Sequence, residues 1–211
     1  AEEKYAGAEE LYKKEKADLG LANTLKSQGD LLRRLGRVKE AEEKYAGAEE
    51  LYKKEKDDLG LANTLKSQGD LLSRLGRVKE AEEKYAGAEE LYKKEKADLG
   101  LANTLKSQGD LLRRLGRVKE AEEKYAGAEE LYKKEKDDLG LANTLKSQGD
   151  LLSRLGRVKE AEEKYAGAEE LYKKEKADLG LANTLKSQGD LLRRLGRVKE
   201  AEEKYAGAEE L

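Results

Sequence analysis

Residues Asp18–Asp57 read DLGLANTLKSQGDLLRRLGRVKEAEEKYAGAEELYKKEKD, and this 40-residue unit recurs along the 211-residue chain with almost no change. The first half of the unit carries apolar and small residues at three- and four-residue steps, the spacing of one face of a helix. The residues of this face are Leu21, Ala22, Leu25, Gly29, Leu32 and Leu35. One copy of the unit therefore decides the structure of the whole chain.

The second half of the unit has an apolar stripe of its own, formed by Val38, Ala41, Tyr45, Ala48 and Tyr52. Between the two stripes lies Gly36, a residue typical of the left-handed position after a helix. Asp18 precedes the first stripe and is expected to cap its helix. No five-residue stretch alternates as a strand does. The unit is therefore predicted to form a hairpin of two helices, called first-type and second-type below.

Charged residues on the second-type helix are spaced for ion pairs along its surface. We expect Glu-to-Lys pairs four residues apart, each contributing about 0.2–0.5 kcal/mol. The expected pairs are Glu40–Lys44, Glu49–Lys53 and Glu50–Lys54.

Three glycines, Gly20, Gly29 and Gly47, fall inside the predicted helices. Glycine in a helix interior costs about 0.5–1 kcal/mol relative to alanine. Their presence in a chain rich in good helix formers predicts places where two helix backbones approach closely.

The unit resembles the tetratricopeptide repeat, through Leu25-x-x-Gln28-Gly29-x-x-Leu32, then Gly36, then Ala41-x-x-x-Tyr45 and Ala48. The resemblance implies that Gly29 packs against Ala41 and that Tyr45 is wedged into the hairpin. The unit departs from the family pattern at Gln28, where leucine is usual, and at Leu25, where an aromatic residue is usual. It also lacks the closing proline, and its period of 40 residues exceeds the usual 34 or so.

The implied fold is an all-α, right-handed α-solenoid of about eleven helices, in a single repeat domain over residues 1–211. Its parts are an unpaired second-type helix at 1–17, full repeats at 18–57, 58–97, 98–137 and 138–177, and a truncated repeat at 178–211.

Composition excludes several classes of function. Charged residues make up 43% of the chain, but 44 basic and 46 acidic side chains leave a net charge of −2. This balance argues against nucleic acid and anionic membranes as partners. No histidine, cysteine or methionine is present, which removes the usual metal ligands and most acid–base and nucleophilic groups. We therefore predict no metal site, no cofactor and no enzymatic activity.

Asp30 is the strongest candidate for a catalytic carboxylate, but its sequence neighbours argue against that role. Lys26 precedes it by four residues, and Arg33 and Arg34 follow at three and four. A surface aspartate paired along its own helix is therefore expected rather than a catalytic one. No apolar run approaches the length of a membrane span or a signal peptide, so a natural protein is expected in the cytoplasm. For an engineered chain no compartment applies.

The resemblance implies that first-type helices line a concave groove. Polar side chains at fixed spacing there could hold the carboxylate of an extended acidic peptide or of its C-terminus. The candidate groove residues are Asn23, Lys26, Asp30, Arg33, Asn63, Lys66, Asp70, Asn103, Lys106, Asp110, Arg113, Asn143, Lys146, Asp150, Asn183, Lys186, Asp190 and Arg193. The alternative, which the monotonous repetition favours, is that these residues only keep a scaffold in solution.

Two positions alternate between repeats. Odd repeats carry Ala17 and Arg33, and even repeats carry Asp57 and Ser73, so the full period is 80 residues. Repetition this complete favours an engineered concatemer over recent natural duplication.

Residues 1–11 and 201–211 have the same sequence, so head-to-tail self-association is also expected. The faces expected to meet contain Tyr5, Leu11 and Tyr12 at one end and Leu195, Val198 and Tyr205 at the other. Function is thus predicted to be that of a structural scaffold, with a peptide-binding array as the alternative.

Overall fold

A computed structural model describes residues 2–211, and over that range the chain forms eleven α-helices and no strand. This confirms the predicted all-α class. The helices are α1 (Glu2–Lys14), α2 (Asp18–Arg34), α3 (Val38–Glu55), α4 (Asp58–Arg74), α5 (Val78–Lys94), α6 (Asp98–Arg114), α7 (Val118–Glu135), α8 (Asp138–Arg154), α9 (Val158–Lys174), α10 (Asp178–Arg194) and α11 (Val198–Glu209). Even-numbered helices are first-type and odd-numbered helices are second-type.

The chain forms two compact units that divide between Thr104 and Leu105. In the first unit, α1 packs on α2, α2 on α3, α3 on α4 and α4 on α5, and the first-type helices α2 and α4 also touch. In the second unit, α7 to α11 pack in the same order, and α8 touches α10. Each unit is therefore a solenoid segment in which a helix meets its neighbours in sequence. One continuous repeat domain over residues 1–211 stays a prediction.

Two kinds of tight turn join the helices. Gly36 follows the first-type helix with φ of +74°, as predicted from its place after the apolar stripe. Lys56 follows the second-type helix with φ of +57°, although it is not a glycine. Its backbone N–H lies 3.3 Å from the carbonyl oxygen of Lys53, and the next N–H, of Asp57, donates to that of Tyr52 at 3.0 Å. These bonds satisfy carbonyl groups at the end of α3.

The prediction that Asp18 caps α2 is wrong. Asp18 is the first helical residue and pairs instead with Lys54 of α3. The cap position belongs to the alternating residue before it, which is Ala17 in α2 and Asp57 in α4. The Asp57 carboxylate accepts a hydrogen bond from the Gly60 N–H at 2.9 Å, whereas Ala17 has no side-chain acceptor. Even repeats therefore begin with a capped helix and odd repeats do not.

Within a hairpin, a tyrosine ring lies against the glycine of the first-type helix. A Cβ placed on Gly29 would lie 2.6 Å from Cε1 of Tyr45, so only glycine fits there. The expected partner of Gly29 was Ala41, and the structure shows Tyr45 in that place. Tyr45, Ala41 and Ala48 are all fully buried, as their stripe predicted.

The prediction that Leu35 belongs to the buried stripe of the first-type helix is wrong. Leu35 is 54% exposed because it follows the last turn of α2. The residue that sequence analysis overlooked is Leu71, which is 3% exposed and packs with Tyr45 and Leu32 of the preceding hairpin. Contact between repeats, rather than within one, buries this position.

A second tyrosine joins each hairpin to the next. The ring of Tyr52 lies against Gly60 at the start of the following first-type helix. Its hydroxyl group donates to Oδ1 of Asn23, on the preceding first-type helix, at 2.6 Å. Tyr52 is 2% exposed. One side chain of α3 thus holds both α2 and α4.

Charged residues also link neighbouring repeats, and here two of the three predicted pairs are wrong. Glu49 does pair with Lys53, at 2.6 Å. Lys44, however, pairs with Glu9 of α1 at 2.7 Å, and Lys54 pairs with Asp18. For these two lysines, a carboxylate on another helix is the partner in place of the glutamate four residues earlier on the same helix.

Glu49 forms the centre of one such link. Its Oε2 accepts hydrogen bonds from Lys84 of α5 at 2.8 Å and from Gln68 of α4 at 3.0 Å. Burial alone would raise the pKa of this carboxyl, but the bonds from Lys53, Lys84 and Gln68 lower it to about 2. Equivalent carboxylates with the same lowered pKa are Glu9, Glu129 and Glu169.

We expect Gly69→Ala to lower the free energy of unfolding by about 1–3 kcal/mol, the usual cost of overpacking. The added Cβ would lie 2.7 Å from the ring of Tyr85, which is 1% exposed and held by a hydrogen bond to Asp70. Thermal unfolding followed by circular dichroism measures the effect. The control is Gly7→Ala, where nothing lies within 4 Å, so stability should hold or rise by up to about 1 kcal/mol. Equal effects at the two sites would contradict this packing.

The lowered pKa of Glu49 predicts a loss of stability in acid. Because the folded value is below the ordinary 4.5, the contribution of Glu49 is fully present above about pH 4.5 and is lost as pH falls towards 2. Glu49→Gln should lower stability at pH 7 and flatten the acid limb of a plot of melting temperature against pH. The exposed neighbour Glu50 gives the control, Glu50→Gln. An unchanged acid limb in Glu49→Gln would refute the assignment.

Candidate functional site

The predicted groove residues lie along one face of each first-type helix, and most of them bond to other residues of the chain. Lys26 Nζ contacts Oδ2 of Asp30 at 2.6 Å, and the hydroxyl group of Tyr45 donates to Oδ1 of Asp30 at 2.7 Å. Both oxygens of the carboxylate are therefore occupied. The same Lys–Asp pair forms at Lys66–Asp70, Lys106–Asp110 and Lys146–Asp150, and Tyr205 donates to Asp190 in the last repeat.

The electrostatics of Asp30 fit a structural role. Burial raises the pKa of this carboxyl, but the bonds from Lys26 and Tyr45 outweigh burial and hold the pKa below its usual range. The pKa of the Tyr45 phenol shifts in the opposite direction, because burial and the adjacent Asp30 charge both raise it. Asp30 is thus a charged, fully engaged acceptor. A general base would need a free oxygen and a pKa nearer neutrality.

The asparagines of the face are also engaged. Asn23 and Asn63 accept hydrogen bonds from Tyr52 and Tyr92 at 2.6 and 2.7 Å. Burial, together with the nearby Asp57 charge, raises the pKa of Tyr52 to about 12, so this donor keeps its proton. Asn143 accepts from Tyr172 at 2.8 Å, Asn103 donates to the Leu99 carbonyl group at 2.8 Å, and Asn183 is exposed.

The solvent exposure of the arginines on this face depends on the repeat that follows them. The side chains of Arg33 and Arg113 are 15% and 16% exposed, whereas that of Arg193 is 69% exposed. Arg113 donates through Nε to the hydroxyl oxygen of Tyr125 at 3.2 Å. Lys186 and Asp190, like Arg193, belong to the last first-type helix, α10. Arg33 and Arg113 are therefore largely buried against the first-type helix that follows, whereas Arg193 in α10 stays exposed.

Sequence analysis missed a row of exposed leucines on the same face. Leu19, Leu59 and Leu99 are 42–45% exposed, and each lies four residues before the asparagine of its helix. Arg34 and Arg74, four residues after Asp30 and Asp70, are also exposed. The signal was present in the helical spacing, since Leu19 falls on the polar rather than the apolar side of α2.

Small cavities occur where repeats meet. One cavity of about 160 Å³ is lined by Glu42, Gln68, Leu71, Leu72, Arg77, Glu80, Glu83 and Lys84. Arg77 pairs there with Glu42 and Glu80. The side-chain amide of Gln68 donates a hydrogen bond to Glu49. Its Oε1 is buried and has no hydrogen-bond partner. Gln68 is the equivalent of Gln28, the departure from the family pattern, and it serves the junction between repeats.

Among residues 2–211 no group of three or more acidic side chains is placed to hold a metal ion. No helix in the described part of the chain has the length and apolar character needed to cross a membrane.

Two comparisons with solved structures agree with this geometry. The structure of BtubC (BKLC) from P. vanneervenii matches 98% of this chain and 85% of that one, with a TM-score of 0.84 and 18% identity. A Podosopora anserina structure, described as a "putative kinesin light chain nearly identical TPR-like repeats", matches 89% of this chain and 92% of that one, with a TM-score of 0.71 and 14% identity. At these identities the likeness concerns the fold alone. No curated protein matches the chain.

The sequence itself matches the family description "Tetratricopeptide repeat" over residues 20–94 and 100–174. These two stretches cover more than half of the 211 residues. They contain the repeating hairpins in which Tyr45 and its equivalents lie against glycine. With its helical hairpins, its glycine–aromatic packing and this match, the chain belongs to the tetratricopeptide repeat family.

Proposed function

We propose that the chain is a non-enzymatic structural scaffold, whose polar first-type face serves to hold its own helices together. The observation that carries this proposal is the occupation of Asp30: both carboxylate oxygens are bonded within the chain. The same holds for Asp70 and Asp110. A binding face that used these lysines for peptide carboxylates would present them unpaired.

The absence of catalysis belongs to the same proposal. The carboxylates with strongly lowered pKa values, such as Glu49, are held by lysines and a glutamine in the junctions. Such shifts also arise in structural ion-pair networks. They keep Glu49 charged over the whole physiological range of pH and leave it unsuited to proton transfer.

A second candidate function is peptide binding, favoured by one specific observation. The exposed leucines Leu19, Leu59 and Leu99 form an apolar row, and the exposed arginines Arg34 and Arg74 lie on the same helix faces. Apolar rows rimmed by charge mark protein interaction sites. A partner for this face would be an extended peptide with apolar side chains and acidic or C-terminal carboxylate groups.

A scan of fluorescently labelled acidic C-terminal peptides, read by anisotropy at physiological salt, distinguishes the two candidates. For a scaffold we expect no saturable binding. Saturable binding that Leu59→Asn abolishes, and that Lys39→Asn on the second-type helix leaves intact, would establish the peptide-binding function instead. Lys39 is exposed, which makes it a matched control for a surface change.

For a polypeptide of residues 1–211, we also propose head-to-tail association. Leu11 and Tyr12 are 56% and 37% exposed on the α1 side, and Val198 is 55% exposed on the α10–α11 side. Leu195, also on that side, is 42% exposed, as is its internal equivalent Leu75. Tyr5 and Tyr205 are half-buried. Residues 201–211 repeat 1–11, so α11 of one copy could take the place of α1 in the next copy and continue the stacking. A contact of this heterologous kind extends into filaments.

Light scattering over a wide range of protein concentration tests this association. We expect the mean mass to rise with concentration, and Val198→Glu to suppress the rise by placing a charge in the contact. The control is Val118→Glu, the same change in an internal repeat. A monomeric mass at every concentration would end the proposal.

An engineered origin stays our inference from the 80-residue period, although the P. anserina structure is also described as having nearly identical repeats. The coding DNA tests it. Identical codons in successive 80-residue blocks are expected of an assembled cassette, and scattered silent differences would argue for a natural gene. For a natural protein we propose a cytoplasmic location.

A further inference from the structure

A cavity recurs where repeats meet, between two successive second-type helices and the first-type helix that separates them. At the junction of α3, α4 and α5 its volume is about 160 Å³. Equivalent cavities of about 360, 290 and 210 Å³ lie at the junctions α1–α3, α7–α9 and α9–α11. Leu71 and Leu72 of α4 form its apolar floor and are 3% and 5% exposed. Since one water molecule needs only about 10–15 Å³ of such volume, each cavity has room for a small organic molecule.

The cations that line the cavity are already bonded to carboxylates of the chain. Arg77 pairs with Glu42 of α3 and with Glu80 of α5. Lys84 pairs with Glu49 at 2.8 Å. The same pairs form in the other three cavities. An anionic ligand would therefore have to displace a carboxylate that the chain itself supplies.

The glutamine of the cavity has an acceptor without a partner. Its amide nitrogen donates to Oε2 of Glu49 at 3.0 Å, and this bond fixes the orientation of the amide, because the reverse orientation would bring two acceptors together. Gln68 lines the cavity and is 9% exposed, and its Oε1 is buried without a hydrogen-bond partner. The same atom is unpartnered in Gln28, Gln148 and Gln188. A ligand that donates a hydrogen bond gains by satisfying this buried oxygen.

A second acceptor of the cavity is a carboxylate. Glu83 of α5 lines the cavity and is exposed, and within the described residues it has no hydrogen bond or ion pair. The groups left for a ligand are thus a buried neutral acceptor and an exposed anionic one, beside an apolar floor. An ammonium group offers donors only and carries the opposite charge, and an alkyl stem covers apolar surface.

We propose that these cavities bind a primary alkylammonium group, which donates to the amide oxygen of Gln68 and faces the carboxylate of Glu83. The alkyl chain then lies on Leu71 and Leu72. A free aliphatic amine and a lysine side chain of another protein present this same group. The site is separate from the polar face of the first-type helices, where both oxygens of Asp30 are occupied. With one cavity at each of four junctions, the chain would be a multivalent receptor for amines.

Saturation-transfer NMR on the full chain at physiological salt tests the site, with n-butylammonium as the probe and n-butanol as its uncharged analogue. We expect saturable binding of n-butylammonium with a dissociation constant of about 1 mM, a strength that is possible for so small a ligand. The alcohol should bind at least about tenfold more weakly, because it lacks the charge. Nα-acetyl-lysine methylamide is the second probe. Its binding would show that a protein lysine is accepted, whereas binding of n-butylammonium alone would assign the site to free amines.

Two sets of substitutions separate the acceptors of the cavity. Exchange of the buried glutamines for leucine should weaken binding about tenfold or more, the usual effect of losing a hydrogen bond to a charged group. This set is Gln28→Leu, Gln68→Leu, Gln108→Leu, Gln148→Leu and Gln188→Leu. Removing the exposed carboxylates should weaken binding about fivefold, the effect of one charge about 4 Å away in water. This set is Glu3→Gln, Glu83→Gln, Glu163→Gln and Glu203→Gln.

The matched control removes the same number of charges outside the cavities, from exposed positions of the second-type helices. It consists of Glu50→Gln, Glu90→Gln, Glu130→Gln and Glu170→Gln, and it should leave the affinity unchanged. If the leucine set fails to fold, the two glutamate sets decide, since they change only exposed residues. Binding that does not saturate, equal affinity for n-butanol, equal effects of the two glutamate sets, or unchanged affinity in a folded leucine set would each overturn the proposal.

Discussion

The close contact between a tyrosine ring and a glycine backbone sets the spacing of the helices. Tyr45 meets Gly29 inside the hairpin, and Tyr52 meets Gly60 in the next one. In both places a single methyl group on the first-type helix would occupy space that the ring already fills. The ring hydroxyl groups then bind polar groups of the first-type helices, so each aromatic residue fixes both the distance and the register of its neighbours. The cost of glycine in a helix is offset at these contacts.

The ion pairs between helices depend on this close packing. With helices held at short distance, Lys44 and Lys54 meet carboxylates on adjacent helices, and a chain that is 43% charged can place many of its side chains in pairs between repeats. The junction around Glu49 is one of these links. The polar face of the first-type helices belongs to the same network, since Lys26 and Tyr45 both bond to Asp30.

Periodicity along one helix carried much of the prediction, and contacts between helices account for its errors. The stripe through Tyr45 and Tyr52 and the left-handed Gly36 depend on local spacing, and both could be predicted from one unit. The partners of Lys44 and Gly29 depend on residues in another helix, which a helical wheel does not contain. Leu35 was misassigned because α2 ends one residue earlier. The exposed Leu19 did not follow from the apolar stripe because it lies on the polar side of α2. At the candidate site, the pairing of Asp30 with Lys26 along one helix could be predicted, but the hydrogen bond from Tyr45, on another helix, could not.

The alternation of arginine and serine also bears on how the gene encoding such a chain can change length. Tandem DNA repeats gain and lose copies when strands slip during replication. Loss of one 40-residue copy would bring two repeats of the same kind together, but the new junction would still carry an arginine, because every first-type helix has the equivalent of Arg34. Loss of 80 residues would leave every remaining junction as it was. The apolar contacts of a junction, such as Leu32 with Leu71, are also the same in both kinds of repeat. The packing therefore allows a chain of this kind to change length by single repeats as well as by pairs.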